Sequence, residues 1–190
     1  MNDIRIRTAT AADVPALLDI YAPYVRETAI SFEYEVPTRQ DFEGRVARTL
    51  TRYPWLVAEE GGTILGYAYA SAFHPRKAYD WCAEASIYVA QNARGRGLGA
   101  GLYAALEEQL KRQGILILYA CIARPPQEED EHLTLASIRF HTRMGFHTVG
   151  EFPRCGFKFD RWYDMVWMEK RLAEPAVPPL PVIPFPEAEQ

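Results

Sequence analysis

The chain is poor in cysteine and has no long apolar run. Its three cysteines, Cys82, Cys121 and Cys155, are an odd number without a CxxC pair or a metal-ligand spacing, so neither a disulfide framework nor a metal site is expected. No segment approaches the roughly 18 consecutive apolar residues of a membrane span. The first residues, MNDIRIRTAT, also lack the apolar core of a signal peptide. These absences predict a cytoplasmic protein with reduced thiols and no membrane partner.

Positive charge is also in short supply. The chain has 21 lysines and arginines against 25 acidic residues, a net charge of −4 at pH 7, which argues against a role in coating nucleic acid. With 190 residues and a 48% hydrophobic composition, it is long enough for one globular domain with a real core. Against this acidic background, the basic segment NARGRGLGAGLY at residues 92–103 indicates a site for one small anionic ligand.

Hydrophobic periodicity predicts strands and helices in the order β-α-α-β-β-β-α-β-α-β-β. This order is typical of a single α/β (α+β) domain around a mixed sheet flanked by helices. The apolar run ILILYACIA predicts a strand buried on both faces, and a helix is expected from about Thr134 to Met144, stopped by Gly145. We expect this domain to cover residues 1–172.

Residues 173–190 form a different kind of segment. EPAVPPLPVIPFPEAEQ contains six prolines in seventeen residues, which predicts an extended or disordered tail. The alternatives for its role are an SH3-type ligand, a plain surface segment, and a segment that packs on a neighbouring subunit.

The basic glycine-rich segment follows a predicted strand, AEASIYV, and opens a predicted helix. Backbone N–H groups at such a helix start point outward, and the helix dipole adds about half a positive charge, so the junction binds anions. Arg94 and Arg96 would strengthen this field, and a diphosphate is the expected guest. A Rossmann interpretation of Gly95 to Ala100 lacks its acidic residue, because the next strand, ILILYACIA, has no carboxylate. A tight turn without a ligand is the third alternative.

The spacing Arg94-x-x-Gly97-x-Gly99 resembles the Q/R-x-x-G-x-G/A signature of the GNAT superfamily of N-acetyltransferases. The segments RYPWLVAEE, AYDWCAEASIYV and GFKF-DRWYDMVWMEK resemble, more narrowly, the branch of phosphinothricin and methionine sulfoximine acetyltransferases. The similarity covers roughly residues 3–170. It implies a GNAT-type domain with a mostly antiparallel sheet, a strand that carries a bulge and splays from its neighbour, acetyl-CoA (coenzyme A) as the cofactor, and a homodimer.

The resemblance also implies which residues contact acetyl-CoA. Amides of the glycine loop would hold its diphosphate, and the strand before the loop would lie along its pantetheine arm. In the helix after residue 133, Thr134 replaces an Asn that commonly contacts the cofactor, and Ser137 caps the helix or binds the cofactor. The expected cofactor-binding residues are Ile87, Tyr88, Val89, Arg94, Gly95, Arg96, Gly97, Leu98, Gly99, Thr134 and Ser137.

Glu84 is the candidate general base. Strand alternation places it on the face opposite Ala85, Ile87 and Val89. A carboxylate at the edge of a cleft, beside aromatic residues such as Tyr79 and Trp81, should have a raised pKa and can deprotonate the substrate ammonium. The resemblance implies the same role for Glu84.

Two further groups complete the expected chemistry. The resemblance implies a backbone N–H near Tyr88 or Val89 that polarises the thioester carbonyl. It also places His141 where a Tyr often protonates the departing thiolate, and a histidine with an ordinary pKa near 6.5 can do so. A histidine that faces the core or lines the substrate pocket is the alternative.

Substrate choice depends on loops and aromatic residues. Arg76 suits a bidentate grip on a carboxylate or phosphinate, whereas His74 stands where the branch has Lys. The acidic run Glu128–Glu131 attracts a cationic substrate or is a solvated loop. The candidate substrate-binding residues are Phe32, Tyr34, His74, Arg76, Tyr79, Trp81, Trp162 and Tyr163.

The expected function is acetyl-CoA-dependent N-acetylation of the α-amino group of a small amino acid or amino-acid analogue. Acetylation of a protein N-terminus, a polyamine or another amine is the alternative within this chemistry. A non-catalytic acyl-CoA-binding sensor is the alternative of another class.

Overall fold

The computed structural model describes residues 4–127 and 130–188. Up to the last strand, its elements follow the predicted order. No helix among these residues is long and apolar enough to cross a membrane. The elements are β1 (Arg5–Thr8), α1 (Val14–Glu27), α2 (Arg39–Leu50), β2 (Trp55–Glu60), β3 (Thr63–Ala72), β4 (Cys82–Val89), α3 (Leu98–Gln113), β5 (Ile117–Arg124), α4 (Ala136–Arg143), β6 (His147–Lys158), β7 (Arg161–Arg171) and α5 (Phe185–Ala188).

The strands form one open seven-stranded sheet in the order β1-β2-β3-β4-β5-β7-β6. All neighbouring strands in it are antiparallel except β4 and β5. These two pair only from Cys82–Glu84 to Ile117–Tyr119, although each strand continues for several residues beyond this stretch. The predicted mixed, mostly antiparallel sheet with splayed central strands is therefore confirmed.

The expected bulge in β4 is wrong. The pairing of β3 with β4 runs without a shift from Gly66 opposite Val89 to Ala72 opposite Ala83. An irregularity lies instead between β2 and β3, at Ala58. Side chains along β4 therefore alternate strictly between the two faces of the sheet, as the sequence predicted.

Helices cover the two faces of the sheet unequally. The α3 residues Leu102 and Leu106 pack with Ala83 and Ala85 of β4 in the core on one face. On the other face, α1 and α2 pack against β2, β3 and β4 but leave the β5–β7 half open. The prediction that β5 is buried on both faces is therefore wrong, because Tyr119 and its neighbours on this face are only half-buried.

The proline-rich tail folds back onto its own domain. Phe185 is only 2% exposed, and its N–H donates to the carbonyl of Arg52 over 3.1 Å. The buried side chain of Gln113 donates through Nε2 to the carbonyls of Arg52 and Ile183, at 2.7 and 3.0 Å. The prediction of an extended tail is confirmed for residues 173–184, which form no helix or strand. The alternative of a plain surface segment is wrong for the end of the tail, because Val182 packs on the core and Phe185 is buried.

Candidate active site

The loop between β4 and α3 presents open backbone donors. Gly95 and Gly97 have φ values of 78° and 79°, and no atom lies within 4 Å of the position where a Cβ would stand on either. Within the described parts of the chain, no backbone N–H from Arg94 to Ala100 donates to another protein group. The first such bond runs from Gly101 N–H to the carbonyl of Gly97, at 3.2 Å. Together with the start of α3, this loop is an anion site.

The two arginines of this loop have different surroundings. Arg96 binds the carboxylate of Glu60, with 2.7 Å between Nη2 and Oε1. The guanidinium of Arg94 lies over the ring of Tyr24, 5.3 Å from its centroid, and forms no salt bridge with a described residue. The charge of Arg94 is therefore more available to a phosphate than that of Arg96.

Two neighbouring residues of the loop also serve packing. Leu98 is buried in the core, so only its backbone N–H is available to a ligand. A Cβ on Gly99 would stand 3.0 Å from the ring of Phe140, which shows that the glycine allows α4 to approach α3 closely. Thr134 is exposed, and its hydroxyl accepts the N–H of Ala136, the first residue of α4, at 3.3 Å.

A narrow cleft of about 60 Å³ lies where β4 and β5 diverge. Its walls include three of the predicted cofactor-binding residues, Ile87, Tyr88 and Ser137, together with His141. Thr134 is not among its lining residues. The cleft lies along β4, the strand that leads into the glycine loop, although no residue of the loop itself is among its lining residues.

The alternation of sheet bonds decides which β4 amide faces this cleft. The N–H of Ala90 donates to a β3 carbonyl at 2.8 Å, so the N–H of Tyr88 also points towards β3, and those of Ile87 and Val89 point away. The Tyr24 hydroxyl contacts both the N–H and the carbonyl of Val89, at 3.3 and 2.6 Å. Ile87 therefore supplies the amide directed into the cleft, rather than Tyr88 or Val89.

His141 is almost fully buried, at 3% exposure, and both of its ring nitrogens have protein partners. Nδ1 lies 2.8 Å from the carbonyl of Ser137, which can only accept, so Nδ1 carries the proton of the neutral ring. Nε2 lies 2.8 Å from the hydroxyl of Tyr103 and accepts from it. Burial lowers the pKa of His141 and raises that of Tyr103, so both side chains are neutral at pH 7.

Glu84 is half-buried on the β4 face that points away from α3. Burial raises the pKa of its carboxyl, as the sequence predicted. Its closest partners across the sheet are Ser71 on β3 and Tyr119 on β5, rather than Tyr79 and Trp81. Glu84 itself is not among the residues that line the cleft, but Ser86 and Tyr88, on the same face of β4, are.

A second cavity, of about 260 Å³, lies between α2 and the sheet. It shares Tyr88 with the cleft, and Ser71 in its wall is the strand neighbour of Glu84. Sequence reasoning missed this cavity, although the alternation GYAYAS at residues 66–71 places three polar side chains on one face. Its lining residues are Tyr21, Phe42, Arg45, Arg48, Thr49, Trp55, Tyr67, Tyr69, Ser71 and Tyr88. We call it the aromatic cavity.

None of the eight predicted substrate-binding residues lines the aromatic cavity. His74, Arg76 and Tyr79 are exposed on the loop between β3 and β4. Trp81 ends this loop, and its Nε1 donates to the carbonyl of Leu180 in the tail at 2.8 Å. The structure thus brings these four residues together on one loop beside the tail.

The other four predicted residues lie near the β6–β7 hairpin. Phe32 packs against the fully buried Tyr163, which makes direct substrate contact by Tyr163 inconsistent with this conformation. The hydroxyl of Tyr34 donates to the carbonyl of Phe157, and the half-exposed Trp162 packs on the Phe157 ring. Phe32 and Tyr34 therefore help to fix the α1–α2 segment against the hairpin.

The acidic segment before α4 is partly neutralised. Asp130 and Glu131 both bind Arg161, at 3.0 and 2.7 Å. Glu128 and Glu129 lie outside the described residues. For the described part of this segment, the bonds to Arg161 favour a structural role over the attraction of a cationic substrate.

The site combines three features: a sheet that opens between two parallel strands, a loop with open backbone amides after one of these strands, and a half-buried carboxylate on the same strand. Together they define an acyltransferase that uses an acylated coenzyme. A sequence model described as "Acetyltransferase (GNAT) domain" matches residues 6–167, and the chain belongs to this family. It is an N-acetyltransferase that uses acetyl-CoA.

Three similar proteins illustrate this relationship. The phosphinothricin N-acetyltransferase of Streptomyces viridochromogenes is 35% identical over 181 residues, which cover 95% of this chain and 94% of that protein. An L-methionine sulfoximine/L-methionine sulfone acetyltransferase of Pseudomonas aeruginosa is 37% identical over 172 residues, with coverages of 88% and 94%. A phosphinothricin acetyltransferase from Sinorhizobium meliloti, crystallised with acetyl-CoA, superimposes with a TM-score of 0.83 at 31% identity and coverages of 96% and 98%.

Proposed function

We propose that this enzyme acetylates the α-amino group of a small amino acid or amino-acid analogue of the phosphinothricin or methionine sulfoximine type. Relatives named for these substrates match nearly the whole chain. The observation that carries the proposal is the half-buried carboxyl of Glu84, whose pKa is raised by burial and whose neighbour on β3, Ser71, lines the aromatic cavity. A base placed between a donor site and an acceptor site is what amine acetylation requires.

The residues present fit acetyl-CoA. Open N–H groups from Arg94 to Ala100, with the guanidinium of Arg94 nearby, would hold the diphosphate, and the cleft would take the pantetheine arm. When bound, acetyl-CoA supplies an acetyl group activated as a thioester. The N–H of Ile87, which points away from β3, would donate to the thioester carbonyl oxygen.

Glu84 would take the proton from the substrate ammonium. Burial raises the pKa of Glu84 towards neutral pH, so its carboxylate is a stronger base than that of an ordinary glutamate. Ser71 and Tyr69, on the neighbouring strand, would form the adjoining wall for the acceptor.

Direct transfer is favoured over a route through an acetylated cysteine. Cys121 lines the cleft, but burial, and after it the negative charge of Glu84, raises the pKa of its thiol to about 12. At neutral pH the thiol is protonated and weakly nucleophilic.

A proton is also needed at the cleft wall for the departing sulfur. We infer that Tyr103 and His141 act there as a pair, because both line the cleft, each ring nitrogen of His141 is bonded within the protein, and Nε2 is bonded to the Tyr103 hydroxyl. The Tyr103 hydroxyl would give its proton to the departing sulfur and be reprotonated from solvent, while Nε2 of His141, which carries no proton, would orient that hydroxyl by accepting its hydrogen bond. The predicted role of His141 as the acid thus becomes one of positioning Tyr103.

Thiol release from acetyl-CoA tests the function against a panel of amino acids, phosphinothricin, methionine sulfoximine, polyamines and N-terminal peptides. We expect release with free α-amino acids or their analogues, and its loss in Glu84→Gln. Release only with polyamines or peptides would favour the alternative acceptors. Tight acetyl-CoA binding without release from any amine would favour a sensor.

A homodimer in the cytoplasm stays a prediction. Some support for the dimer comes from the edge strand β6, where Val149, Phe152 and Phe157 are large apolar residues with substantial exposure. Light scattering on the purified protein tests it, and a mass equal to one chain would contradict it.

A further inference from the structure

A buried ion pair between α3 and β7 has no part in the proposed chemistry. Glu107 on α3 is 7% exposed, and the ammonium of the half-buried Lys170 on β7 donates to both of its carboxylate oxygens, at 2.6 and 2.7 Å. Bringing two charges out of water costs free energy that their attraction often does no more than return, and apolar side chains of similar size can take their place without loss. Stability alone therefore does not account for this pair.

The geometry of α3 brings the carboxylate of Glu107 close to Tyr103. The two residues are four positions apart on this helix, so their side chains are neighbours on one face. Both are buried, and solvent therefore screens the charge of Glu107 only weakly at the Tyr103 hydroxyl. Burial, and after it the negative charges of Glu107 and Glu84, raise the pKa of that hydroxyl. The charge of Glu107 thus acts on the same group that the proposed mechanism uses as an acid.

Lys170 also packs beside the Tyr103–His141 pair. Its ammonium lies 6.0 Å from the centroid of the Phe146 ring. That ring packs edge-on against the rings of Tyr103 and His141, with 5.9 and 5.2 Å between centroids. A Cβ on Gly145 would stand 3.6 Å from Cε of Lys170, so the lysine chain passes directly over the turn that follows α4. The lysine therefore contacts the same ring that supports both members of the pair.

The other titratable groups that face Tyr103 come from the neighbouring elements. They are Glu84 on β4 and His141 on α4, and Cys121 on β5 lines the same cleft. Burial lowers the pKa of His141 and raises that of Cys121 to about 12, so both are neutral at pH 7. The two carboxylates therefore supply the negative charge that acts on the hydroxyl, and Lys170 is the cation bonded to one of them.

We propose that Lys170 is a positioning residue that neutralises the carboxylate of Glu107 and so keeps the Tyr103 hydroxyl a good proton donor. Its effect on turnover rests on the function proposed above, in which Tyr103 protonates the departing sulfur. In that step the O–H bond of Tyr103 breaks as an S–H bond forms, and the tyrosine oxygen is negative until solvent reprotonates it. An unpaired carboxylate one helical turn away would oppose this negative charge.

Lys170→Met tests the charge, because it removes the cation, keeps a long side chain on Phe146 and leaves Glu107 unpaired. We expect kcat for thiol release to fall about tenfold in mildly alkaline buffer, which corresponds to roughly one unit in the acidity of the donor, with a smaller change in the KM for acetyl-CoA. Relative to the wild type at each pH, the deficit should shrink towards acid pH, where the unpaired carboxyl is protonated and uncharged. A loss of packing alone would give a deficit that does not depend on pH.

The double variant Glu107→Leu, Lys170→Met removes both charges and keeps similar side-chain volumes. We expect its kcat to return to within about threefold of the wild type, because no unpaired charge is left beside Tyr103. Arg112→Met is the matched control. It breaks the ion pair of Arg112 with Glu108 on the same helix, but both side chains are exposed there, so kcat should equal that of the wild type.

Nitrogen NMR of the free enzyme gives a readout that does not depend on turnover. The Nε2 resonance of His141, assigned by its absence in His141→Gln, reports on the hydrogen bond that Tyr103 donates to it. A weaker acid is a weaker donor, so in Lys170→Met this resonance should move towards its position in Tyr103→Phe. In the double variant without either charge it should return to the wild-type position.

The outcomes separate this inference from the proposed function. An Nε2 resonance that does not move in Lys170→Met, or a double variant no better than Lys170→Met, overturns the inference and leaves the function standing. If the resonance moves and returns as expected but no amine releases thiol, the inference stands and the function fails. If Lys170→Met does not fold, Glu107→Gln decides. It leaves the cation alone beside the pair, so kcat should not fall, whereas an ion pair needed only for structure predicts a fall.

Discussion

The hydroxyl oxygen of Tyr103 on α3 and Nε2 of His141 on α4 lie 2.8 Å apart at the wall of the cleft between β4 and β5. The other ring nitrogen of His141, Nδ1, donates to the carbonyl of Ser137, so both ring nitrogens are bonded within the protein. Two helices distant in sequence thus share one buried hydrogen-bonded pair.

Tyr103→Phe should lower kcat without a comparable change in the KM for the amine. The change removes only the hydroxyl, and an acid–base group typically contributes about 10²–10⁴-fold, so a loss in the lower part of this range is expected. Steady-state thiol release measures it. The double change with His141→Gln should lose no more than the worse single change, since residues that act as one unit are not additive. Losses that multiply would contradict the pair.

Glu84→Gln should change the pH dependence of the reaction. Burial raises the pKa of Glu84, so the wild-type kcat/KM falls as pH drops through that raised value, where the protonated carboxyl cannot accept. The variant should lack this acid limb and turn over about 10²–10⁴-fold more slowly near neutrality. The deficit should narrow at high pH, where more of the amine is already deprotonated. Calorimetric affinity for acetyl-CoA should be unchanged, and a profile parallel to the wild type would show that another group is the base.

Gly97→Ala should weaken the binding of acetyl-CoA. Its backbone has a φ of 79°, so alanine is strained there by roughly 1–2 kcal/mol and the loop amides must shift. Gly62→Ala is the matched control, because Gly62 has a φ of 82° and equally open surroundings in the β2–β3 hairpin. Both variants should lose similar thermal stability, but only Gly97→Ala should raise the KM for acetyl-CoA. Equal KM values in the two would argue against a diphosphate at this loop.

Phe185→Ala should lower the melting temperature markedly. The ring is buried at the end of the tail, and a Phe→Ala change in a core typically costs about 3–5 kcal/mol. Leu180→Ala is the control, since that side chain is 76% exposed and only its carbonyl is used, by Trp81. Thermal unfolding by circular dichroism compares them. A melting temperature unaffected by Phe185→Ala would mean that the tail is not anchored in solution.

The element order was predictable because it depends on local periodicity. Each strand and helix up to β7 carries its own apolar pattern. The glycine loop between β4 and α3, which includes Gly97, is likewise specified by residues that are close in sequence. The raised pKa of Glu84 was predictable too, since a carboxylate on a largely apolar strand loses solvent. The burial of β5 was not, because an apolar run does not reveal that α1 and α2 cover only one half of the sheet.

The aromatic cavity could not be found from local sequence. Its walls come from two helices and three strands, so Arg48, Trp55 and Tyr88 meet only after the sheet and α2 have packed. The tail illustrates the same limit. Its proline content predicts the absence of regular structure, but whether Phe185 reaches the core depends on a groove beside Gln113 that exists only in the folded domain.

The short contact between β4 and β5 has a mechanical consequence. Among the described residues, the strand pairing between the two halves of the sheet is limited to the stretch from Cys82 to Glu84, and beyond it β4 and β5 diverge. A molecule bound in that gap would contact both β4 and β5 and would hold the two halves of the sheet together. Binding of the coenzyme should therefore slow hydrogen exchange along the facing edges of β4 and β5 and protect the chain from proteolysis. The size of both effects should depend on the ratio of the coenzyme concentration to its dissociation constant.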